Sequence, residues 1–257
     1  MSKIKNAFAN GKAFIGFLTA GDPSLDKTEE FILSMINAGA DLIEIGIPFS
    51  DPIAEGEVIQ AANIRALSVG TTLNRIFEMV KAVRQKTQVP LVFLTYLNPV
   101  FTYGYDHFFR NCSENGIDGV IIPDIPFEEK GELLPFSDKY GVDIISLIAP
   151  SSNERITKLA SNAKGFVYCV SSMGVTGVRS EIKTDLPSIL SAIKEATDIP
   201  TAVGFGISTP QQASEICAYA DGIIVGSAIV KIIEEYGVNA SKPLFEYVKT
   251  MKQAISS

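Results

Sequence analysis

The chain has 257 residues, 46% hydrophobic and 20% charged, which supplies ample material for a core and excludes a disordered chain. A formal net charge of −7, with no run of Lys and Arg, excludes a surface built to neutralise nucleic-acid phosphates or anionic lipid and favours a small molecule or a protein as partner. The three cysteines, Cys112, Cys169 and Cys217, stand far apart with no CxxC pair and read as reduced packing residues. The opening MSKIKNAFANGK is broken by lysines before any apolar signal region forms, and no apolar run reaches membrane-spanning length, so the expected location is the cytoplasm.

Eight nearly continuous apolar runs rich in β-branched residues follow in order: AFIGFL from Ala13, DLIEIGI from Asp41, PLVFLTY from Pro90, GVIIPD from Gly119, DIISLIA from Asp143, GFVYCVS from Gly165, TAVGFGI from Thr201 and DGIIVG from Asp221. Continuity rather than alternation is the pattern of parallel strands covered on both faces or closed into a barrel. Between them the spacing is helical. Thr28 to Ala38 places Phe31, Met35 and Ala38 on one face and stops at Gly39. Glu57 to Gln88 is long enough for two helices, and His107 falls in a Tyr- and Phe-rich helix start with no neighbour at metal-ligand spacing. Asn153, Asp185 and Thr209 stand where helix N-caps are expected, the last before Pro210. Ser227 reads as the cap of a short extra helix that stops at Gly237, with the final helix beginning near Pro243. Eight strand–helix units at this length predict one (β/α)₈ TIM barrel over residues 1–257, with extra helices after strand 2 and strand 8.

Barrel chemistry sits in the loops after the strands, and three of these carry glycines: Gly174 to Gly177, Gly204 to Gly206, and Gly226 with Ser227. Each alone could serve a tight turn. Together, with a helix N-terminus at Ser227, they predict a cradle for phosphate, because glycine lets backbone N–H groups approach an anion. On the second strand Glu44 interrupts an apolar run; directed into a barrel, burial raises its carboxyl pKa toward the range of a general acid and base. Asp51 and Glu55 follow it, and Phe17, Tyr96, Asp124 and Tyr168 add side chains to the same end. Walker, Rossmann, GxSxG and clustered-lysine signatures are absent, which leaves carboxylate acid–base chemistry.

The segments FLTAGDP, IEIGIPFSDPIAEG, GVIIPDIP, GVTG, GFGIS and DGIIVGSAIV, in this order across nearly the whole chain, resemble the tryptophan synthase alpha subunit. The resemblance implies a lyase of tryptophan biosynthesis that cleaves indole-3-glycerol phosphate to indole and glyceraldehyde 3-phosphate without a cofactor of its own. By the same match Glu44 is the general acid and base, and Glu55 stands where the best-known members carry an aspartate that accepts the indole N–H. Phe17, Tyr96, Tyr168 and Thr176 would line the substrate, and Gly177, Phe205, Gly206, Gly226 and Ser227 would hold phosphate. Pro48, Asp51 and Pro52 would face a beta subunit carrying pyridoxal phosphate in an alpha2beta2 complex. Arg179 and Lys183 of the sixth loop receive no role from the match. Glu57 replaces a frequent proline, which implies a looser second loop. An isomerase or aldolase of sugar phosphates, or a mainly regulatory ligand-binding subunit, would use the same fold.

Overall fold

The computed structural model describes residues 3–171, 186–204 and 206–256. Nine parallel strands form one sheet: β1 (Ala13–Thr19), β2 (Leu42–Gly46), β3 (Leu91–Leu94), β4 (Gly119–Ile121), β5 (Asp143–Ile144), β6 (Ser146–Ile148), β7 (Val167–Val170), β8 (Thr201–Gly204) and β9 (Gly222–Val225). Their order is β5-β4-β3-β2-β1-β9-β8-β7-β6. The two ends of this order are consecutive in sequence. β5 pairs with β4 and β6 with β7, so one run changes partner around Ile145 and closes the sheet on itself. The eight expected runs therefore make eight barrel strands, the fifth in two halves.

Eleven helices surround the barrel among the described residues: α1 (Leu25–Asn37), α2 (Glu57–Ser68), α3 (Leu73–Arg84), α4 (Leu97–Tyr103), α5 (Tyr105–Asn115), α6 (Leu134–Tyr140), α7 (Asn153–Ser161), α8 (Leu186–Ala196), α9 (Pro210–Cys217), α10 (Ser227–Tyr236) and α11 (Ser241–Ile255). The doubled helices after the second and eighth barrel strands are α2 with α3 and α10 with α11. A third doubling, α4 with α5, was not anticipated. Pro99 lies within the first turn of α4, where its missing N–H breaks no bond. Asp124 supplies the cap instead: its two carboxylate oxygens accept the Leu97 N–H at 2.9 and 3.1 Å.

Several helix starts shift by a few residues. The first helix opens at Leu25, not Thr28, because the Ser24 hydroxyl accepts the Lys27 N–H at 3.3 Å. Ser152, not Asn153, caps α7, and Gly226, not Ser227, holds the cap position of α10. Thr209 does cap α9, in a reciprocal pair with Gln212. Asp185 lies outside the described residues.

The side-chain period of two sorts the strands into a lumen and an outer face. Ile15, Leu42, Val92, Ile121, Ile145, Tyr168, Ala202 and Ile224 fill the lumen, and Ile4, from a short 3₁₀ turn at Lys3–Phe8, packs into the same cluster. Phe14, Ile43, Ile45, Phe93, Val120, Cys169, Val203 and Ile223 face outward into the larger core beneath the helices. All three cysteines are buried and unpaired. Among the described residues no helix is long and apolar enough to cross a membrane.

Candidate active site

Leu42 belongs to the lumen, so Glu44, two residues on, points the same way one layer nearer the strand ends. Its strand neighbours in register are Phe17 on β1 and Val92 on β3. Glu44 is 1% exposed, and its Oε2 has no hydrogen-bond partner among the described residues. Burial, reinforced by the charge of Glu55, pushes its carboxyl up to about 8. A group poised there can both give and take a proton near neutral pH.

Glu55 closes the loop after β2 and is 8% exposed. The first turn of α2 starts two residues later, and this helix returns two amides to it. Asn63 Nδ2 donates to Glu55 Oε2 at 2.6 Å, and Gln60 Nε2 donates to the Glu55 carbonyl at 2.7 Å. Burial pushes the Glu55 carboxyl up to about 7, against hydrogen bonding from Asn63 and Tyr96 that favours the charged form. Tyr96 is buried, its hydroxyl accepts the Ala54 N–H at 3.1 Å, and burial with the Glu55 charge pushes the phenol up to about 12. Glu57 is the first residue of α2, where an acidic side chain is favoured by the helix dipole.

Missing Cβ atoms give the aromatic side chains their room. A Cβ on Gly46 would lie 2.8 Å from the Phe17 ring, and one on Gly226 would lie 3.3 Å from it. A Cβ on Gly204 would lie 2.5 Å from the Tyr168 hydroxyl. Glycines at or next to the neighbouring strands thus leave Phe17 and Tyr168 their space. Burial and the Glu44 charge push the Tyr168 phenol far up, so it stays a neutral donor.

Among the described residues no side chain caps α10, where Gly226 holds the cap position and Ser227 is the first helical residue, so its first-turn N–H groups can meet an anion. Gly206 is exposed with φ +79°, a left-handed conformation that glycine adopts without strain. Thr176, Gly177, Arg179, Lys183 and Phe205 lie outside the described residues. The segment expected at a partner surface divides: Asp51 is exposed and Pro52 half-buried, whereas Pro48 is buried. His107 stacks on Tyr103 at 4.7 Å, on the helical layer. No group of three His, Cys, Asp or Glu side chains that could hold a metal ion occurs among the described residues.

Sequence reasoning missed Asn63 and Arg65. Asn63 is a polar residue on the buried face of α2, between Ala62 and Ala66, and that placement is the signal that could have found it. Arg65 reaches back to the first loop, donating to both oxygens of the buried Asp22 at 2.9 and 2.8 Å and to Glu234 of α10 at 2.9 Å. One helix therefore carries the support of Glu55 and the clamp that ties the first loop to the last barrel unit.

A closed parallel α/β barrel that carries two buried, electrostatically coupled carboxyl groups defines the class: an acid–base barrel enzyme. The sequence profile of the tryptophan synthase alpha chain matches residues 3–256. A tryptophan synthase alpha chain of Lacticaseibacillus casei is 46% identical over 257 residues, covering 100% of this chain and 97% of that one. Among solved structures, tryptophan synthase of Mycobacterium tuberculosis superposes with a TM-score of 0.90 at 34% identity, over 100% of this chain and 99% of that chain. A tryptophan synthase complex of Pyrococcus furiosus gives 0.86 at 34% identity, over 95% and 99%. The chain belongs to the tryptophan synthase alpha chain family, and with it to the lyases of tryptophan biosynthesis.

Proposed function

We propose that Glu44 and Glu55 together cleave indole-3-glycerol phosphate to indole and glyceraldehyde 3-phosphate. The observation that carries this is the unpartnered oxygen of a fully buried Glu44 beside a second buried carboxyl. Protonated Glu44 gives its proton to indole C3, and charged Glu55 accepts the indole N–H, which stabilises the positive charge growing on that nitrogen. The resulting Glu44 carboxylate then takes the proton from the glycerol hydroxyl as the carbon–carbon bond breaks. Its electrons restore the aromatic indole, and Glu44 ends as it began. Phe17, Tyr96, Tyr168 and Thr176 would enclose the substrate.

Gly177, Phe205, Gly206, Gly226 and Ser227 would hold the phosphate, with the first-turn N–H groups of α10 as the supporting feature. The chemistry assigned to this chain needs no cofactor; pyridoxal phosphate belongs to the beta subunit with which it would form an alpha2beta2 complex in the cytoplasm. Asp51 and Pro52 would meet that partner, together with the large exposed side chains Ile53 and Phe101 at the same end of the barrel. Residues 1–257 would act as one catalytic domain.

The deciding experiment is indole release by wild type and Glu44→Gln, with and without a beta subunit. A loss of two to four orders of magnitude is expected, as for removal of a general acid and base. Unchanged turnover in the variant would sink the assignment. A chain that binds the substrate and stimulates its partner yet never releases indole would mark a regulatory subunit instead.

A further inference from the structure

Gly206, in the loop after β8, is exposed with φ +79°, and the next residue, Ile207, is buried in the core beneath the helices. Both peptide planes flanking Ser208 are then pinned by side chains. Gln212 Oε1 accepts the Ser208 N–H at 3.0 Å and the Thr209 N–H at 3.2 Å, and the Tyr247 hydroxyl donates to the Ser208 carbonyl at 2.9 Å.

These two ties differ in kind. Gln212 stands in the first turn of α9, four residues on from Ser208, so it fixes the loop only to the helix that the loop leads into. Tyr247 is 39 residues away on α11, and among the described residues it is the one long-range polar partner of Ser208. α11 packs against α1, α9, α10 and β1 and buries Leu244, Val248 and Met251, so the hydroxyl stands on a fixed base. Burial pushes the Tyr247 phenol up, which keeps it a neutral donor. The tie therefore joins the Gly206 loop to the helix that packs on α10, at whose entrance Gly226 and Ser227 stand.

We propose that Tyr247 is a positioning residue for the phosphate end of the substrate. Through the Ser208 carbonyl it holds the Gly206 loop in register with the entrance of α10, so that both halves of the cradle meet the anion without rearranging. This role rests on the reading of Gly206, Gly226 and Ser227 as the phosphate cradle. A glycine has more backbone freedom to lose than any other residue when a ligand orders it, and a loop already held loses less. The signature is expected in binding and not in the chemical step.

Tyr247→Phe in the full chain keeps the ring and removes the hydroxyl. Calorimetric titration with glycerol 3-phosphate should show an affinity about three- to tenfold weaker than wild type, the scale of one hydrogen bond. KM for indole-3-glycerol phosphate should rise in step while kcat stays within about twofold. Affinity for indole, which has no phosphate, should not change. Unchanged glycerol 3-phosphate affinity in Tyr247→Phe, or an equal loss for indole, would overturn the positioning role. Gly206→Val separates the two assignments: it forces a β-branched residue into a left-handed conformation and should weaken glycerol 3-phosphate binding by at least about tenfold. If Gly206→Val binds as wild type does, the cradle is wrong and the role of Tyr247 falls with it. If Gly206→Val weakens binding and Tyr247→Phe does not, the role of Tyr247 alone falls.

Discussion

The side-chain amide of Asn63 lies 2.6 Å from Glu55 Oε2, so a helix one turn beyond the second loop fixes the carboxylate that closes that loop. Holding one oxygen holds the plane of the group, and the donated hydrogen bond favours its charged form. Asn63→Ala removes a donor to a buried charged acceptor, an effect of about 1.5–3 kcal/mol, so kcat/KM should fall at least tenfold. The lost donor also raises the Glu55 pKa further from about 7, moving the acid limb of activity to higher pH. A tenfold loss with an unmoved limb would indicate a merely structural Asn63.

Glu55→Asp tests the reach of the carboxylate. Asp is one methylene shorter, and at an unchanged backbone it no longer meets Asn63. Activity should persist with kcat/KM reduced by about an order of magnitude, the scale of misplacing a positioned group. Steady-state kinetics indistinguishable from wild type would show that reach is immaterial here.

The two carboxyl groups should give kcat/KM a bell-shaped pH dependence. Glu55 must be charged to accept the indole N–H, which sets the acid limb near 7, and Glu44 must be protonated to act as the acid, which sets the alkaline limb near 8. Both limbs belong to the coupled pair. Glu55→Gln removes the charge that raises Glu44, so in its residual activity the alkaline limb should move down. A flat profile from pH 6 to 9 would contradict these roles.

Glu44 also predicts a stability signature. Its folded pKa of about 8 lies above the unfolded value of 4.5, so between these pH values the native state binds more protons than the unfolded state. The contribution of Glu44 to stability therefore declines as pH rises through that window, with a slope of up to about 1.4 kcal/mol per pH unit. Glu44→Gln should gain on wild type in denaturant midpoints as pH goes from 5 to 8. A constant difference would mean that Glu44 is not desolvated.

Arg65→Met should destabilise the fold without touching the carboxylates. It leaves Asp22, 2% exposed, as a buried carboxylate stripped of a bidentate partner. Breaking such a pair costs about 3 kcal/mol, and at this chain length Tm should fall by about 6–12 °C. Thermal scans within 2 °C of wild type, on the same scale, would show that the clamp is dispensable.

Glycine at position 204 is required by Tyr168. A Cβ there would meet the Tyr168 hydroxyl at 2.5 Å, with the ring pinned inside a filled lumen. Gly204→Ala should displace that side chain and raise KM for indole-3-glycerol phosphate, at an overpacking cost of about 1–3 kcal/mol. An unchanged KM would show that Tyr168 has no part in holding substrate.

The eight strands, the inward direction of Glu44 and the doubled helices after the second and eighth strands were all legible in the chain. They rest on short-range rules: side-chain period, breaker residues and the chemistry of glycine. The added helix α4 was not legible because its cap, Asp124, comes from the next barrel unit. Asn63 was passed over because its partner is eight residues away and meets it only once α2 folds back over the second loop. Pro48 and Asp51 share one turn yet differ in burial, a difference set by what packs against each face.

The residue types that could act, and the end of the barrel at which they gather, were determined by the sequence alone, because strand period and loop composition are local properties. Only the tertiary structure decided how they can act. The titration of Glu44 and Glu55 near neutrality and the clamp through Arg65 both arise from desolvation and from partners distant in the chain. Those quantities depend on which surfaces exclude water, and water is excluded only when the whole barrel has closed.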